Sequence, residues 1–84
     1  MVDKIETEEF VRTLLKERFP KARTVTIGTG TNLVASGIVD SFSFMDILTE
    51  IETKFGVSID IGAHEFETLT TFGGLLDAIA SATP

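Results

Sequence analysis

The chain has 84 residues, a formal net charge of −6 and no cysteine. This length suits one small domain, and the missing cysteines exclude disulfides and thiolate metal sites. The charge is uneven, because residues 1–39 carry six basic and five acidic side chains whereas residues 40–84 carry one basic and eight acidic side chains. The acidic half would repel phosphate backbones, so we exclude nucleic acid as a partner and expect basic protein surfaces instead.

The N-terminal sequence predicts an amphipathic helix over residues 4–19. Asp3 is a candidate N-cap with Glu6 three residues later, which is the spacing of a capping box. Pro20 ends the helix because the residue before a proline is pushed out of the α region. The apolar side chains that recur at helical spacing are Val11, Leu14 and Leu15.

Residues 20–40 are expected to form a long connection. A strand over residues 21–27 would have no partner in an otherwise helical chain, and Gly28 and Gly30 interrupt any regular pattern. That glycine pair is not a nucleotide-binding loop, because no strand-to-helix unit frames it and no Gly-Lys-Ser/Thr follows. Apolar side chains are expected to anchor the connection on the helices, namely Ile27, Leu33, Val34 and Ile38.

A second helix is predicted over residues 41–55. Ser41 and Ser43 compete as its N-cap, and Gly56 is a favoured residue just after a helix C-terminus. Apolar residues recur at steps of three and four along this helix, which indicates one buried face. The inward stripe consists of Phe44, Ile47, Leu48, Ile51 and Phe55, and the acids expected to point outward are Asp46, Glu50 and Glu52.

The remaining sequence predicts an extended segment over residues 57–61, one short helical turn over residues 64–68, and a last helix that begins after residue 70 or 71 and ends at residue 80. Gly73 and Gly74 would each destabilise that last helix by about 1 kcal/mol relative to alanine. Residues 81–84 are expected to be a frayed tail. The fold class is therefore all-α, a four-helix bundle of three main helices and one short helix, with a long loop between the first two helices and a single domain over residues 1–84.

The rest of the sequence gives no sign of a membrane segment, a catalytic site or a metal site, and we expect a cytoplasmic, monomeric protein with an aromatic core. No apolar run approaches the roughly 18 residues that span a bilayer, and the acidic N-terminus is unlike a signal peptide. His64 has no nucleophile and no third orienting group with which to form a catalytic site, and Asp40 and Asp46 lack the spacing of a calcium loop. The phenylalanines assigned to the core are Phe10, Phe19, Phe44, Phe55, Phe66 and Phe72.

The segment Asp40-Ser41-Phe42 lies where the long connection becomes the second helix. An accessible hydroxyl at a helix N-terminus, with acidic side chains nearby, suits a covalently attached anionic group that is offered to basic partners. The alternative is that Ser41 serves only as a helix cap, which is the usual role of a serine in this position. The pattern points to a carrier and not to a catalyst.

These elements together resemble the acyl carrier protein family. The resemblance covers nearly the whole chain and is most specific at Asp40-Ser41-Phe42 and at Phe55-Gly56-Val57-Ser58-Ile59. It implies that Ser41 carries a 4′-phosphopantetheine arm, added by a dedicated transferase, and that acyl groups are carried as thioesters on the terminal thiol of the arm. It also implies that Asp40 takes part in recognition by the transferase and that partner enzymes meet the second helix at Met45, Asp46, Glu50 and Glu52. Phe42 is assigned to the same partner-binding surface because it directly follows Ser41, where it can contact the arm or a partner.

The sequence departs from the commonest pattern of that family in three features, one of which is a less densely acidic second helix, with Thr49 and Thr53 beside Glu50 and Glu52. Phe42 stands where leucine usually follows the serine, and residues 33–39 lack the acid-rich approach of fatty-acid carriers. The Ser36–Phe42 run is closer to stand-alone carriers that are served by adenylating ligases, including D-alanyl carriers. The expected partners are a phosphopantetheinyl transferase, an acyl- or aminoacyl-activating ligase, and acyltransferases or synthases with basic docking patches. The alternative function is an unmodified helical interaction module with the carrier fold.

Overall fold

The computed structural model describes residues 3–83 and consists of four α-helices in the predicted order. The helices are α1 (Lys4–Arg18), α2 (Ser41–Phe55), α3 (Phe66–Leu69) and α4 (Phe72–Ala80). Two 3-10 helices lie in the connections, at Pro20–Arg23 and Ile61–Ala63. Within residues 3–83 there is no strand, only two isolated β-bridges. The all-α class with three longer helices and one short helix is confirmed.

The first helix begins and ends as its flanking residues dictate. Asp3 is the N-cap, and its side chain accepts a hydrogen bond of 2.9 Å from the backbone N–H of Ile5. The helix ends at Arg18, one residue earlier than predicted, because Phe19 adopts an extended conformation (φ −123°, ψ 106°) before Pro20. Pro20 then opens a 3-10 helix that the sequence pattern did not reveal. Its Ala22 is only 1% exposed and draws this turn onto the core.

The long connection is held on the helices by apolar anchors and by backbone hydrogen bonds. Leu33 is fully buried, and the four predicted anchors Ile27, Leu33, Val34 and Ile38 are buried or packed against the core. Leu33 N donates to Thr70 O at 2.8 Å, and further along the same edge Phe72 N donates to Thr31 O at 2.9 Å. The connection is therefore a fixed part of the fold that lies across the α3–α4 corner.

The second helix has a different N-cap from either serine proposed. Asp40 is the cap, with φ −83° and ψ 169°, and its Oδ1 accepts a 2.7 Å hydrogen bond from the N–H of Ser43. A carboxylate that accepts from the third helical N–H fills the role that we had assigned to Ser41 or Ser43. At the other end Gly56 adopts a left-handed conformation with φ 65°, as predicted for a C-terminal glycine.

The C-terminal segment is attached to the body of the protein and not frayed. Ser58 N donates to Thr83 O at 2.7 Å, which forms an isolated antiparallel bridge, and Ala82 N donates to Ile79 O at 3.1 Å. The expectation of a frayed tail is therefore wrong for residues 81–83, and Pro84 lies outside the described residues. Ser58 lies in the predicted extended segment, which ends at Asp60 and not at Ile61, because Ile61 begins a 3-10 helix.

The core lies between α1, α2 and α4 and is lined by the predicted stripes. Phe44 and Phe72 are fully buried, and Phe10, Phe19 and Phe55 pack against the core from its edge. The sixth phenylalanine assigned to the core is different, because Phe66 remains 49% exposed and contacts Phe44 only through a ring edge. None of the described helices is long and apolar enough to cross a membrane.

Candidate functional site

Ser41 is the first residue of α2 and its side chain is exposed to solvent. Neither its hydroxyl nor its backbone N–H forms a hydrogen bond with any other residue between 3 and 83. Because Asp40 caps the N-terminus of α2, the Ser41 hydroxyl is not needed as a cap. A nucleophilic oxygen that is exposed and free of structural duties can be modified without disturbing the fold.

The surroundings of Ser41 suit a phosphate group. The first turn of an α-helix has N–H groups without intrahelical acceptors, and these lie at the positive end of the helix dipole. In α2 the cap satisfies the N–H of Ser43, whereas the N–H groups of Ser41 and Phe42 have no acceptor among residues 3–83. The residues present therefore fit a phosphodiester linked to the Ser41 oxygen.

The segment that leads to Ser41 is anchored in the core by two buried residues. Ile38 and Val39 are 5% and 2% exposed, and Val39 N donates to Leu33 O at 3.0 Å. Before them, Gly37 has φ 80°, a conformation that glycine adopts without strain. Because the chain passes directly from this buried pair to Asp40, the serine is presented at the surface on a rigid support.

A basic side chain also holds this segment. The Nζ of Lys21 donates a 2.6 Å hydrogen bond to the carbonyl oxygen of Ser36. A Cβ at Gly37 would lie 3.2 Å from that Nζ, so the glycine also leaves room for the lysine. No sequence signal pointed to Lys21, because its acceptor is a backbone carbonyl 15 residues away.

Apolar side chains near the start of α2 remain unpacked. Phe42, directly after the serine, is 87% exposed, and Met45 one turn later is 43% exposed. Asp46 is exposed as predicted and forms no ion pair within residues 3–83. Large exposed apolar residues beside a modifiable group are typical of a surface that contacts partners.

Two of the acids assigned to the partner surface are engaged inside the protein. Glu50 Oε1 accepts from the guanidinium of Arg18, and Glu50 Oε2 is buried without a hydrogen-bond partner in the described part of the chain. Glu52 Oε2 accepts a 2.8 Å hydrogen bond from the N–H of Ile59. Both carboxylates are therefore only partly exposed, because α1 and the extended segment each supply a donor to one of them, and their contact with partner enzymes stays a prediction.

The structure thus divides the predicted site residues into two groups. Ser41, Phe42, Met45 and Asp46 are exposed together at the first half of α2, with Asp40 as its cap, whereas Glu50 and Glu52 at its second half are bonded to other parts of the protein. Sequence analysis missed the exposure of Phe66, although its acidic neighbours Glu65 and Glu67 were a visible signal. Within residues 3–83, no group of three or more His, Asp or Glu side chains is placed to hold a metal ion.

Comparison with known proteins gives one match. Residues 9–79 match the family described as the phosphopantetheine attachment site, whereas no curated protein and no solved structure matches the chain. Domains of this family carry 4′-phosphopantetheine covalently on a serine. The match begins within α1, ends one residue before the end of α4, and includes Ser41 at the start of α2. The chain belongs to the phosphopantetheine attachment site family and has the helical bundle of an acyl carrier protein.

Proposed function

We propose that Ser41 is the residue that carries 4′-phosphopantetheine. The observation that carries the proposal is the Ser41 hydroxyl itself, which is exposed, makes no hydrogen bond within residues 3–83, and lies at the N-terminus of α2 immediately after its cap. The helix dipole and the free N–H groups favour the negative charge of the attached phosphate.

The other serines of the chain are less suitable. The hydroxyls of Ser36 and Ser81 donate to backbone carbonyls three residues earlier. Ser43 is half-buried inside the first turn of α2, and its N–H is taken by Asp40. Ser58 is exposed but lies in the extended segment, where its backbone pairs with Thr83 and no helix N-terminus is present. Among these five serines, only Ser41 combines an accessible hydroxyl with a position at a helix N-terminus, where the helix dipole favours a negatively charged phosphate.

We further propose that residues 1–84 form one non-catalytic carrier domain. The attached arm supplies a thiol on which acyl or aminoacyl groups are held as thioesters, and the protein presents them to a series of enzymes. Those enzymes are an acyl- or aminoacyl-activating ligase and the acyltransferases or synthases that use the cargo, in fatty-acid or specialised-metabolite synthesis. The phenylalanine after the serine and the low acidity of residues 33–39 favour a stand-alone carrier in specialised synthesis.

The surface around Ser41 supports contact with such enzymes. Phe42 and Met45 offer apolar contacts, and Asp46 supplies an exposed negative charge beside them. A small apolar centre with a charged rim gives specific contacts, and the exposed charge contributes mainly to the rate of encounter. Both properties suit a protein that visits several enzymes in turn.

Intact-protein mass spectrometry tests the assignment of Ser41. The chain is incubated with coenzyme A and a broad-specificity phosphopantetheinyl transferase, and the wild type is expected to gain the mass of one phosphopantetheine. Ser41→Ala should gain nothing, and the matched control Ser43→Ala should be modified like the wild type. Because the Ser41 hydroxyl has no partner in residues 3–83, Ser41→Ala should retain the wild-type circular dichroism spectrum. A folded wild type that gains no mass beside an active control carrier would favour the unmodified interaction module.

A further inference from the structure

We propose that Asn32 is a positioning residue for the modification of Ser41, because its side chain fixes the segment leading into α2 against the short helix α3. The inference rests on the proposed function of Ser41 and adds a residue that lies outside the Asp-Ser-Phe motif. The oxygen of the Asn32 amide bonds to the segment before α2 and the nitrogen bonds to the end of α3. The two contacts can therefore be removed separately by substitution.

The oxygen end of Asn32 caps the turn that leads to the serine. Its Oδ1 accepts hydrogen bonds from Val34 N at 3.0 Å and from Ala35 N at 2.8 Å. This is the arrangement by which asparagine initiates a turn or a helix. The turn it starts is closed by a bond from Val39 N to Leu33 O of 3.0 Å, and Ser41 follows two residues after Val39.

The nitrogen end of Asn32 binds the C-terminus of α3. Its Nδ2 donates to Thr70 Oγ1 at 2.8 Å and to Glu67 O at 3.2 Å. The last carbonyls of any helix lack intrahelical donors, and α3 has only four residues. A helix this short is not stable by itself. Its position is therefore set by external contacts, of which the Asn32 amide is one.

Thr70 completes the contact from the other side. It is 1% exposed, and its Oγ1 donates to Phe66 O at 2.9 Å while accepting from the Asn32 amide. The backbone reinforces the same junction, because Leu33 N donates to Thr70 O at 2.8 Å. The side chains of Asn32 and Thr70 thus form one polar junction between the approach to Ser41 and the end of α3.

This junction bears on modification because α3 adds to the exposed surface. Phe66 is half exposed, and its ring contacts the edge of Phe44 on α2 with centroids 6.3 Å apart. An enzyme that contacts both α2 and α3 meets a surface whose two parts are already fixed. Such pre-organisation lowers the entropy lost on binding. Loss of the junction should therefore weaken binding of the carrier and leave the reactivity of the Ser41 hydroxyl unchanged.

Four variants separate the two ends of the amide. Asn32→Asp keeps an acceptor for Val34 N and Ala35 N but has no N–H for Thr70 Oγ1 or Glu67 O, and Asn32→Ala loses the bonds at both ends. Thr70→Val removes the hydroxyl with little change of volume, and Thr70→Ser retains it. Steady-state kinetics of the transferase at saturating coenzyme A, with the carrier varied, give KM and kcat for each variant. Asp3→Ala serves as the control, because it removes the side chain that caps the N-terminus of α1 by accepting from Ile5 N, away from the junction of Asn32 and Thr70.

We expect two variants to raise the KM for the carrier by about three- to tenfold with kcat unchanged. Asn32→Asp loses the bonds to Thr70 Oγ1 and Glu67 O, and Thr70→Val loses the bonds to Asn32 and Phe66 O. Thr70→Ser should restore the wild-type KM, and Asn32→Asp combined with Thr70→Val should have less than the sum of the two effects, since both remove one junction. The proposal is overturned if Asn32→Asp has the wild-type KM, or if Asp3→Ala raises KM equally. Neither result would touch the assignment of Ser41, which depends on the mass gain and its loss in Ser41→Ala.

Discussion

Gly74 in the first turn of α4 distinguishes the effect of helix propensity from that of tertiary packing. Alanine is the better helix former by about 1 kcal/mol, so propensity alone predicts that Gly74→Ala stabilises the protein. The structure predicts the opposite sign. A Cβ built on Gly74 would lie 1.9 Å from Thr68 O and 2.7 Å from Thr71 Oγ1, far inside the roughly 3.5 Å at which nonbonded atoms attract.

The change in the free energy of unfolding caused by Gly74→Ala is the sum of three terms. Forcing a methyl group into a packed site costs about 1–3 kcal/mol. Thr71 is the N-cap of α4, and its Oγ1 accepts from Gly74 N at 2.9 Å, so displacing that oxygen also weakens a cap worth about 0.5–2 kcal/mol. Subtracting the gain of about 1 kcal/mol from propensity leaves a net destabilisation of about 2 kcal/mol. For a domain of this size, that lowers Tm by about 10 °C.

Thermal and urea unfolding followed by circular dichroism measure the effect. Gly30→Ala is the control for adding a methyl group without a clash, because Gly30 lies in the connection, a Cβ there has no atom within 4 Å, and its φ is not in the left-handed region. We expect the control to lie within about 0.5 kcal/mol of the wild type. If Gly74→Ala instead equals or exceeds the wild type in stability, the close approach of α4 to Thr68 is wrong and helix propensity decides the sign.

Two further predictions concern the surface beside Ser41. Phe42→Ala should leave Tm almost unchanged, because the side chain is 87% exposed. The same variant should lower kcat/KM for transfer of phosphopantetheine by about fivefold or more, as expected for an exposed aromatic anchor. Unchanged kinetics would mean that the transferase does not contact Phe42. Asp46→Lys should slow the same transfer, with an effect that is largest at low salt and fades as salt screens the charge. Asp46→Asn and Glu52→Gln each remove one unit of charge, and Glu52→Gln should show the weaker salt dependence because Glu52 lies about three turns along α2 from Ser41. Equal salt dependence of these two variants would contradict this division of the acids.

The sequence by itself determined the helices and the position of the candidate serine. Periodic apolar residues defined the buried faces, and Pro20 and Gly56 ended α1 and α2 within one residue of their observed limits. These signals act between near neighbours, because a proline or a left-handed glycine affects the backbone where it stands. The exposure of Ser41 agrees with its place outside the apolar stripe of α2, whose members recur from Phe44 onward.

Only the tertiary structure decided which polar groups are free and which are used. Glu50 and Glu52 have the sequence pattern of an exposed acidic face, yet Glu50 accepts a hydrogen bond from Arg18 and Glu52 accepts one from the N–H of Ile59. Gly74 reads as a weak point of a helix, yet the approach of Thr68 leaves no room for a side chain. Asn32 gave no signal at all, because its partner Thr70 lies 38 residues away. Such pairings arise when separate elements pack together, and the order of residues along the chain carries no local record of them.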